Sequence, residues 1–203
     1  MKKIIIIYYQ MSNIFSIKNA LINLGYECIV SHKKKDLLEA DIAILPGVGA
    51  FPEAMNQLNH LDLIEPIKEF VNRSNKLIGI CLGMHLLYEF SNEFKKTKGL
   101  GLIKGSVEKI NKIKKNLLVP HIGWNTVNLI NSMEFKKYDS QRFYFVHSYY
   151  CKNNEESDIV MKTKYLDLNF TSMIIKENIY ACQFHPEKSG TQGLSLLNDM
   201  LKK

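Results

Sequence analysis

The segment Ile4-Ile5-Ile6-Ile7-Tyr8 is an unbroken apolar run of β-branched residues ending in an aromatic one. A strand that is apolar at every position must be covered on both faces, which is the situation of a parallel strand between two layers of helix. The next segments fit that frame. Ile14, Ile17, Leu21 and Leu24 recur on one side of a helix that Gly25 closes, and short strands fit Glu27 to Val30 and Asp41 to Leu45. Helical segments follow Pro52 and Leu63, a further strand fits Lys76 to Ile80, and a helix is expected from about Leu82 to Phe90. The first half therefore reads as a parallel α/β sheet.

The second half changes character. Ser106 to Ile110, Arg142 to Tyr149, Ser172 to Ile175 and Ile179 to Gln183 read as strands without long intervening helices, which predicts antiparallel pairing. A last helix is expected from Thr191 to Leu201, and Lys112 to Asn116 and Asn153 to Ser157 are polar enough only for loops. No repeat, low-complexity stretch or linker divides the chain. Its 203 residues, 46% of them hydrophobic, suit one domain spanning 1–203, large enough to bury roughly 70% of its unfolded surface.

The formal charge of +7 comes from 27 Lys+Arg against 20 Asp+Glu, and a basic surface attracts anionic partners. The lysines are scattered in short clusters (Lys33 to Lys35, Lys95-Lys96, Lys112 to Lys115) with no interleaved aromatic residues for stacking bases, so they read as a solvated face and no nucleic-acid partner is expected. Lys2 and Lys3 before the isoleucines give a charge-then-apolar order, but the run is too short for a signal peptide and lacks a small-residue cleavage site. No stretch approaches the roughly 18 apolar residues of a membrane span. Cys28, Cys81, Cys151 and Cys182 show neither a disulfide-framework spacing nor a C-x-x-C pair, and a reducing cytoplasm is the expected setting.

Two distant segments carry the chemistry. In Gly79-Ile80-Cys81-Leu82-Gly83 a cysteine stands where a strand hands over to a helix, between glycines that permit a sharp turn. This is the spacing of a nucleophile elbow with sulfur in place of oxygen, and the helix N-terminus favours a thiolate. The Leu82 N–H would then face an oxyanion. In His185-Pro186-Glu187 the proline keeps the histidine out of helical geometry, and in an extended stretch residues two apart face the same way. Glu187 is thus expected to orient the His185 ring as general base toward Cys81. A thiol, an imidazole and a carboxylate make an activated nucleophile.

Rival readings exist for these residues. Cys81 would also fit a small buried core position. Cys182, three residues before His185, suggests half of a zinc site, but no second Cys/His pair accompanies it, so no metal is expected. His147, in Phe145-Val146-His147-Ser148-Tyr149, has no acidic residue within three positions and reads as a strand histidine lining a pocket. Leu45-Pro46-Gly47-Val48-Gly49-Ala50-Phe51 leaves a strand through a glycine-containing turn. In an open α/β sheet that turn falls beyond the strands' carboxyl ends, with Cys81, where its amides can meet an oxyanion.

Taken in order, Pro46-Gly47-Val48-Gly49, Gly79-Ile80-Cys81-Leu82-Gly83-Met84 and Gln183-Phe184-His185-Pro186-Glu187-Lys188-Ser189 resemble the class I, or triad, glutamine amidotransferases. More narrowly, the chain is similar to the glutaminase subunits of imidazole glycerol phosphate synthase. Further matches are Gly99-Leu100-Gly101-Leu102-Ile103, Pro120-His121-Ile122-Gly123-Trp124-Asn125 and Tyr144-Phe145-Val146-His147-Ser148-Tyr149, so the likeness spans nearly the whole chain. It implies a flavodoxin-like fold, with a central mostly parallel sheet flanked by helices and an antiparallel C-terminal extension. It implies a glutaminase, without cofactor, that cleaves L-glutamine through Cys81, His185 and Glu187. The oxyanion donors would be the amides of Leu82 and Gly49, the latter turning into place when the partner is engaged. Gly47, Val48, His85, Ser148 and Tyr149 would contact substrate.

The same resemblance implies a heterodimer with a (β/α)8-barrel synthase subunit, met at Trp124, Asn125, Tyr144 and Lys188. There the ammonia and a ribulosyl aminoimidazole carboxamide nucleotide would become imidazole glycerol phosphate and a carboxamide ribonucleotide. Two departures stand out. His85 occupies the place of a family glutamine that helps hold substrate, and Tyr8-Tyr9-Gln10-Met11-Ser12-Asn13 replaces the usual Asp-Tyr-Gly-x-Gly-Asn. They keep open a paralogous glutaminase feeding acetamidino-sugar synthesis, and a non-catalytic scaffold that retains the triad residues.

Overall fold

The computed structural model describes residues 2–11, 13–110, 119–153 and 155–202. The loop expected at Lys112 to Asn116, the basic cluster there and Ser12 lie outside the described residues.

The isoleucine run is strand β1 (Ile4–Ile7), every residue of it buried. Helix α1 (Ile14–Asn23) returns the chain to β2 (Cys28–Ser31), and the short α2 (Lys34–Leu38) leads to β3 (Ile42–Leu45). β1 lies between β2 and β3 in parallel register, with Ile5 opposite both Ile29 and Ala43. Side chains alternate across a strand, so Ile4 and Ile6 join one apolar cluster with Ile17 and Leu21 of α1, while Ile5 and Ile7 join the cluster on the other face. That division is why each position of the run had to be apolar.

Helices α3 (Phe51–His60) and α4 (Ile64–Asn72) follow, then β4 (Lys76–Ile80), parallel to β3, and α5 (Leu82–Leu86). The helix expected to reach Phe90 stops at Leu86, and β5 (Tyr88–Ser91) takes its place. The reason is competition for carbonyls. The amides of Leu100, Leu102 and Ile103 donate to the oxygens of Leu86 and Leu87 at 2.8–3.0 Å, so the Gly99–Ile103 segment occupies acceptors that a longer helix would need. A Cβ at Gly99 would overlap the Tyr88 carbonyl, which explains a glycine there.

β6 (Thr97–Lys98) and β7 (Ile103–Lys109) pair with β5. The described chain resumes with β8 (His121–Thr126) and β9 (Asn128–Leu129). The strand expected over Arg142 to Tyr149 is divided at Ser148 into β10 (Arg142–His147), antiparallel to β8, and β11 (Tyr149–Asn153), antiparallel to β7. β8 and β12 (Ile159–Tyr165) were not anticipated from sequence, whereas β13 (Leu168–Lys176), β14 (Ile179–Cys182) and helix α6 (Gly190–Lys202) lie where strands and a helix were expected.

The main sheet runs β2-β1-β3-β4-β14-β13-β12-β9. Its first half is parallel, β14 included, and from β14 through β13 and β12 to β9 it is antiparallel. β4 and β14 are adjacent, with Ile80 opposite Cys182, so the two chemical segments leave neighbouring strands at the same sheet edge. Among the described residues no helix is long and apolar enough to cross a membrane.

Candidate active site

Cys81 joins β4 to α5 at φ 54° and ψ −111°, a conformation that an L-residue reaches only under strain. Neighbouring backbone forces the turn. A Cβ on Gly83 would overlap the Leu45 carbonyl oxygen, and one on Gly79 would lie 3.1 Å from the Gly83 carbonyl. The two glycines therefore let α5 press against the ends of β3 and β4. The Cys81 N–H is held by the Cys182 carbonyl at 2.8 Å, which ties the elbow to β14.

His185 follows β14 in extended geometry, but the expected extended stretch ends there. Pro186–Lys188 forms a 3-10 turn, and this turn brings the Glu187 carboxylate to 2.8 Å from His185 Nδ1. The side chains of His185 and Glu187 are 3% and 1% exposed, so the pair is shielded from screening by water. Ser189 fixes the segment: its hydroxyl donates to the His185 carbonyl at 2.6 Å and accepts from the Tyr144 N–H at 2.9 Å. The His185 N–H donates in turn to the Tyr144 carbonyl at 2.9 Å.

Burial opposes a charge on His185, yet interactions with Cys81 and Glu187 outweigh it and raise the imidazole to about 10. Its Nε2 is buried without a closed hydrogen bond. An open nucleophile–base contact is common before substrate arrives.

A cavity of about 310 Å³ opens over the sulfur, large enough for a small amino acid. Val48, Gly49, Cys81, Leu82, His85, Ser148, Tyr149 and His185 all line it. Gly47 does not. It packs behind the wall, where a Cβ would meet the Tyr9 hydroxyl and the Leu82 Cβ. Gly49 has φ +103°, and the neighbouring Val48 N–H donates to the Met11 carbonyl at 2.8 Å, so the turn is tied to the divergent Tyr8–Asn13 segment.

Glu93 also lines the cavity, and the sequence offered no sign of it. It lies between β5 and β6 and accepts from the Phe51 N–H at the start of α3 at 2.7 Å, while burial raises its carboxyl above the usual range. A lone glutamate in Ser91-Asn92-Glu93-Phe94 carries no spacing signature; only tertiary folding brings it to the cavity.

Three other buried histidines, His85, His121 and His147, are neutral. Burial lowers His85 and His121 to about 4 each and His147 well below its ordinary value. His147 Nδ1 meets the Tyr149 carbonyl at 2.8 Å, so its Nε2 accepts from His121 Nδ1 at 2.9 Å. The Asn125 side-chain amide then reaches His121 Nε2 at 3.3 Å. Asn125 thus points to the inner face of the β8–β10 ribbon. Trp124 and Tyr144 pair on the opposite face, with ring centroids 6.3 Å apart and Trp124 47% exposed. Lys188 is exposed on the turn after His185. Among the described residues no group of three or more His, Cys, Asp or Glu is arranged to hold a metal ion.

Comparisons with known proteins bear on the family and the fold. Residues 5–203 match the glutamine amidotransferase class-I family. The chain is 42% identical to the imidazole glycerol phosphate synthase subunit HisH of Lactococcus lactis subsp. lactis (strain IL1403), covering 100% of both chains. It is 40% identical to the subunit of the same name from Bacillus subtilis (strain 168), covering 97% of this chain and 94% of that one. A crystal structure of a glutamine amidotransferase superposes with a TM-score of 0.77 at 17% identity, over 98% of this chain and 97% of the other. A PurLQS structure from Thermotoga maritima does so with a TM-score of 0.74 at 19% identity, over 99% and 98%. The mostly parallel sheet with flanking helices is the class I glutamine amidotransferase fold. The chain belongs to the class-I glutamine amidotransferase family, alongside the HisH subunits of imidazole glycerol phosphate synthase.

Proposed function

We propose that this chain is the glutaminase subunit of an imidazole glycerol phosphate synthase, acting in histidine biosynthesis. It hydrolyses L-glutamine to L-glutamate and ammonia, and delivers the ammonia to a (β/α)8-barrel cyclase subunit bound as a heterodimer. The observation that carries this reading is the approach of His185, backed by Glu187, to the strained Cys81 at the adjoining ends of β4 and β14. Relatives that share a name over the full chain support the choice of pathway.

The chemistry follows from the groups present. His185 takes the thiol proton, and its raised affinity for that proton favours a thiolate–imidazolium pair. The sulfur attacks the glutamine carboxamide carbon, and the amides of Leu82 and Gly49 receive the negative oxygen. Imidazolium gives its proton to the departing nitrogen, ammonia leaves, and water that His185 deprotonates cleaves the thioester, releasing glutamate. Glu187 holds the ring so that Nε2 faces sulfur.

Substrate recognition uses Glu93, the one carboxylate among the described residues that line the cavity. Glu93 is placed to meet the α-ammonium of glutamine. The positive φ of Gly49 leaves its peptide free to turn, which makes the Val48–Met11 tie the natural point of control by the partner. The outer face of the β8–β10 ribbon, with Ile122, Trp124 and Tyr144, is the face assigned to the barrel, and Tyr144 carries the contact to His185 through its backbone. The four free cysteines suit a cytoplasmic enzyme.

Glutamate release by the purified chain, with and without its barrel subunit, tests the reading. Release that depends on Cys81 and is stimulated by the barrel is expected, together with turnover of the ribulosyl nucleotide by the complex. A folded chain that releases no glutamate in either mixture would overturn it.

A further inference from the structure

Helix α5 has only five residues, so its macrodipole offers the sulfur less than the longer helix expected from sequence would. Side chains must therefore do more of the work of holding a thiolate. Tyr9, Cys151 and Cys182 interact with Cys81, but burial keeps the phenol and both thiols protonated. His185 supplies a charge that interacts with the sulfur. Two further polar groups reach the sulfur: the Val146 carbonyl, 3.9 Å away, can only accept from the thiol, whereas Gln183, 0% exposed, has its Nε2 3.8 Å from Cys81 Sγ and can donate to it.

The far side of that amide meets a second buried group. Gln183 Oε1 lies 2.7 Å from His85 Nε2, and an amide oxygen only accepts, so His85 is the donor. Burial keeps His85 neutral down to about pH 4, which leaves the ring one proton, and the contact places it on Nε2. Turning the amide over would set NH2 against an N–H and oxygen against sulfur. With the ring proton on Nε2 both contacts would become repulsive; a turned amide would need that proton on Nδ1, for which no described residue provides an acceptor, so the histidine favours the end of the amide that the sulfur sees.

We infer that Gln183 is a hydrogen-bond donor to the catalytic thiolate, and that His85 is a positioning residue that locks the Gln183 amide with its NH2 toward sulfur. The inference rests on the glutaminase reading for its purpose, and it gives the departure at position 85 a role directed at Cys81 rather than at substrate.

Alkylation of Cys81 by iodoacetamide, followed by peptide mass spectrometry in a Cys28→Ser background, separates this from the glutaminase assay because it needs neither glutamine nor a partner. Gln183→Met is expected to slow alkylation roughly tenfold at pH 7 while leaving the rate at pH 10, where thiols ionise unaided, unchanged. His85→Leu should slow it about threefold at pH 7, His85→Gln should restore it, and His85→Leu should add nothing to Gln183→Met. A Gln183→Met protein that unfolds at the wild-type temperature and alkylates at the wild-type rate would overturn the inference. So would additive effects in the double variant. If Gln183→Met does not fold, an unchanged rate in His85→Leu, or His85→Gln reacting no faster than His85→Leu, overturns it equally.

Discussion

At φ 54° and ψ −111°, Cys81 occupies backbone space in which a Cβ costs about 1–3 kcal/mol. That strain supplies a prediction whose sign is opposite to the usual one. At an ordinary buried position glycine is less stable than alanine by about 0.5–1 kcal/mol, because it loses more chain entropy on folding. At position 81 alanine keeps the Cβ and therefore the strain, whereas glycine relieves it. Both lose the same sulfur contacts, so those cancel in the comparison. Cys81→Gly is expected to be more stable than Cys81→Ala by about 0.5–2 kcal/mol, a difference of several degrees at most in a chain of this size. Urea unfolding of the two variants side by side, with equal slopes, measures it. Neither should release glutamate. A glycine variant less stable than the alanine one by about 1 kcal/mol would mean that the elbow stores no strain, and the reasoning would fail.

Gly83→Ala drives a Cβ into the Leu45 carbonyl, a backbone atom that cannot rotate away. A loss of about 3 kcal/mol or more is expected, and glutaminase activity should fall with it because Leu82 moves; a wild-type melting temperature would contradict the packing described. Glu93→Gln keeps an acceptor for the Phe51 N–H but loses the charge. KM for glutamine should rise about 10–100-fold with kcat little changed, and an unaltered KM would remove Glu93 from substrate binding. The histidines set a pH window. His85 and His121, near 4, bind little proton when folded at pH 5 but do when unfolded, and His147, held below its ordinary value by burial, acts in the same direction. Stability should therefore fall as pH drops from about 6.5 toward 4, at roughly 2 kcal/mol per unit near pH 5 from His85 and His121. His185, raised to about 10, works oppositely: its contribution is full below about 6.5 and lost as pH rises to about 10. Urea midpoints across this range should peak near neutral pH, and a flat acid limb would contradict the buried neutral histidines.

The parallel half of the fold was legible because burial on both faces leaves its mark on every residue of a strand, as at Ile4 to Ile7. Helix α5 was misjudged in length because Leu86, Leu87 and Tyr88 satisfy helical periodicity. Only the return of Leu100 to Ile103 onto their carbonyls ends the helix, and that is a tertiary event. β8 was missed because a strand with Ile122 and Trp124 facing outward does not show the usual alternation of polar and apolar residues. In the site, Cys81, His185 and Glu187 stood out through short-range spacing around glycine and proline. Glu93 did not, since its place depends on a connection folding over the start of α3. Asn125 shows the remaining limit: next to Trp124 in sequence, it faces the other side of the ribbon, toward His121, as strand geometry requires.

The claim at the centre of this account is that glutamine is cleaved through a covalent bond to one sulfur atom. Mass spectrometry of the Cys81 peptide, from a reaction with glutamine and the barrel subunit quenched in acid before steady state, tests it directly. A γ-glutamyl thioester on Cys81 is predicted, appearing before free glutamate and absent from Cys81→Ala. Glutamate released at the wild-type rate by Cys81→Ala, or an adduct found on Cys28, Cys151 or Cys182 instead, would contradict it.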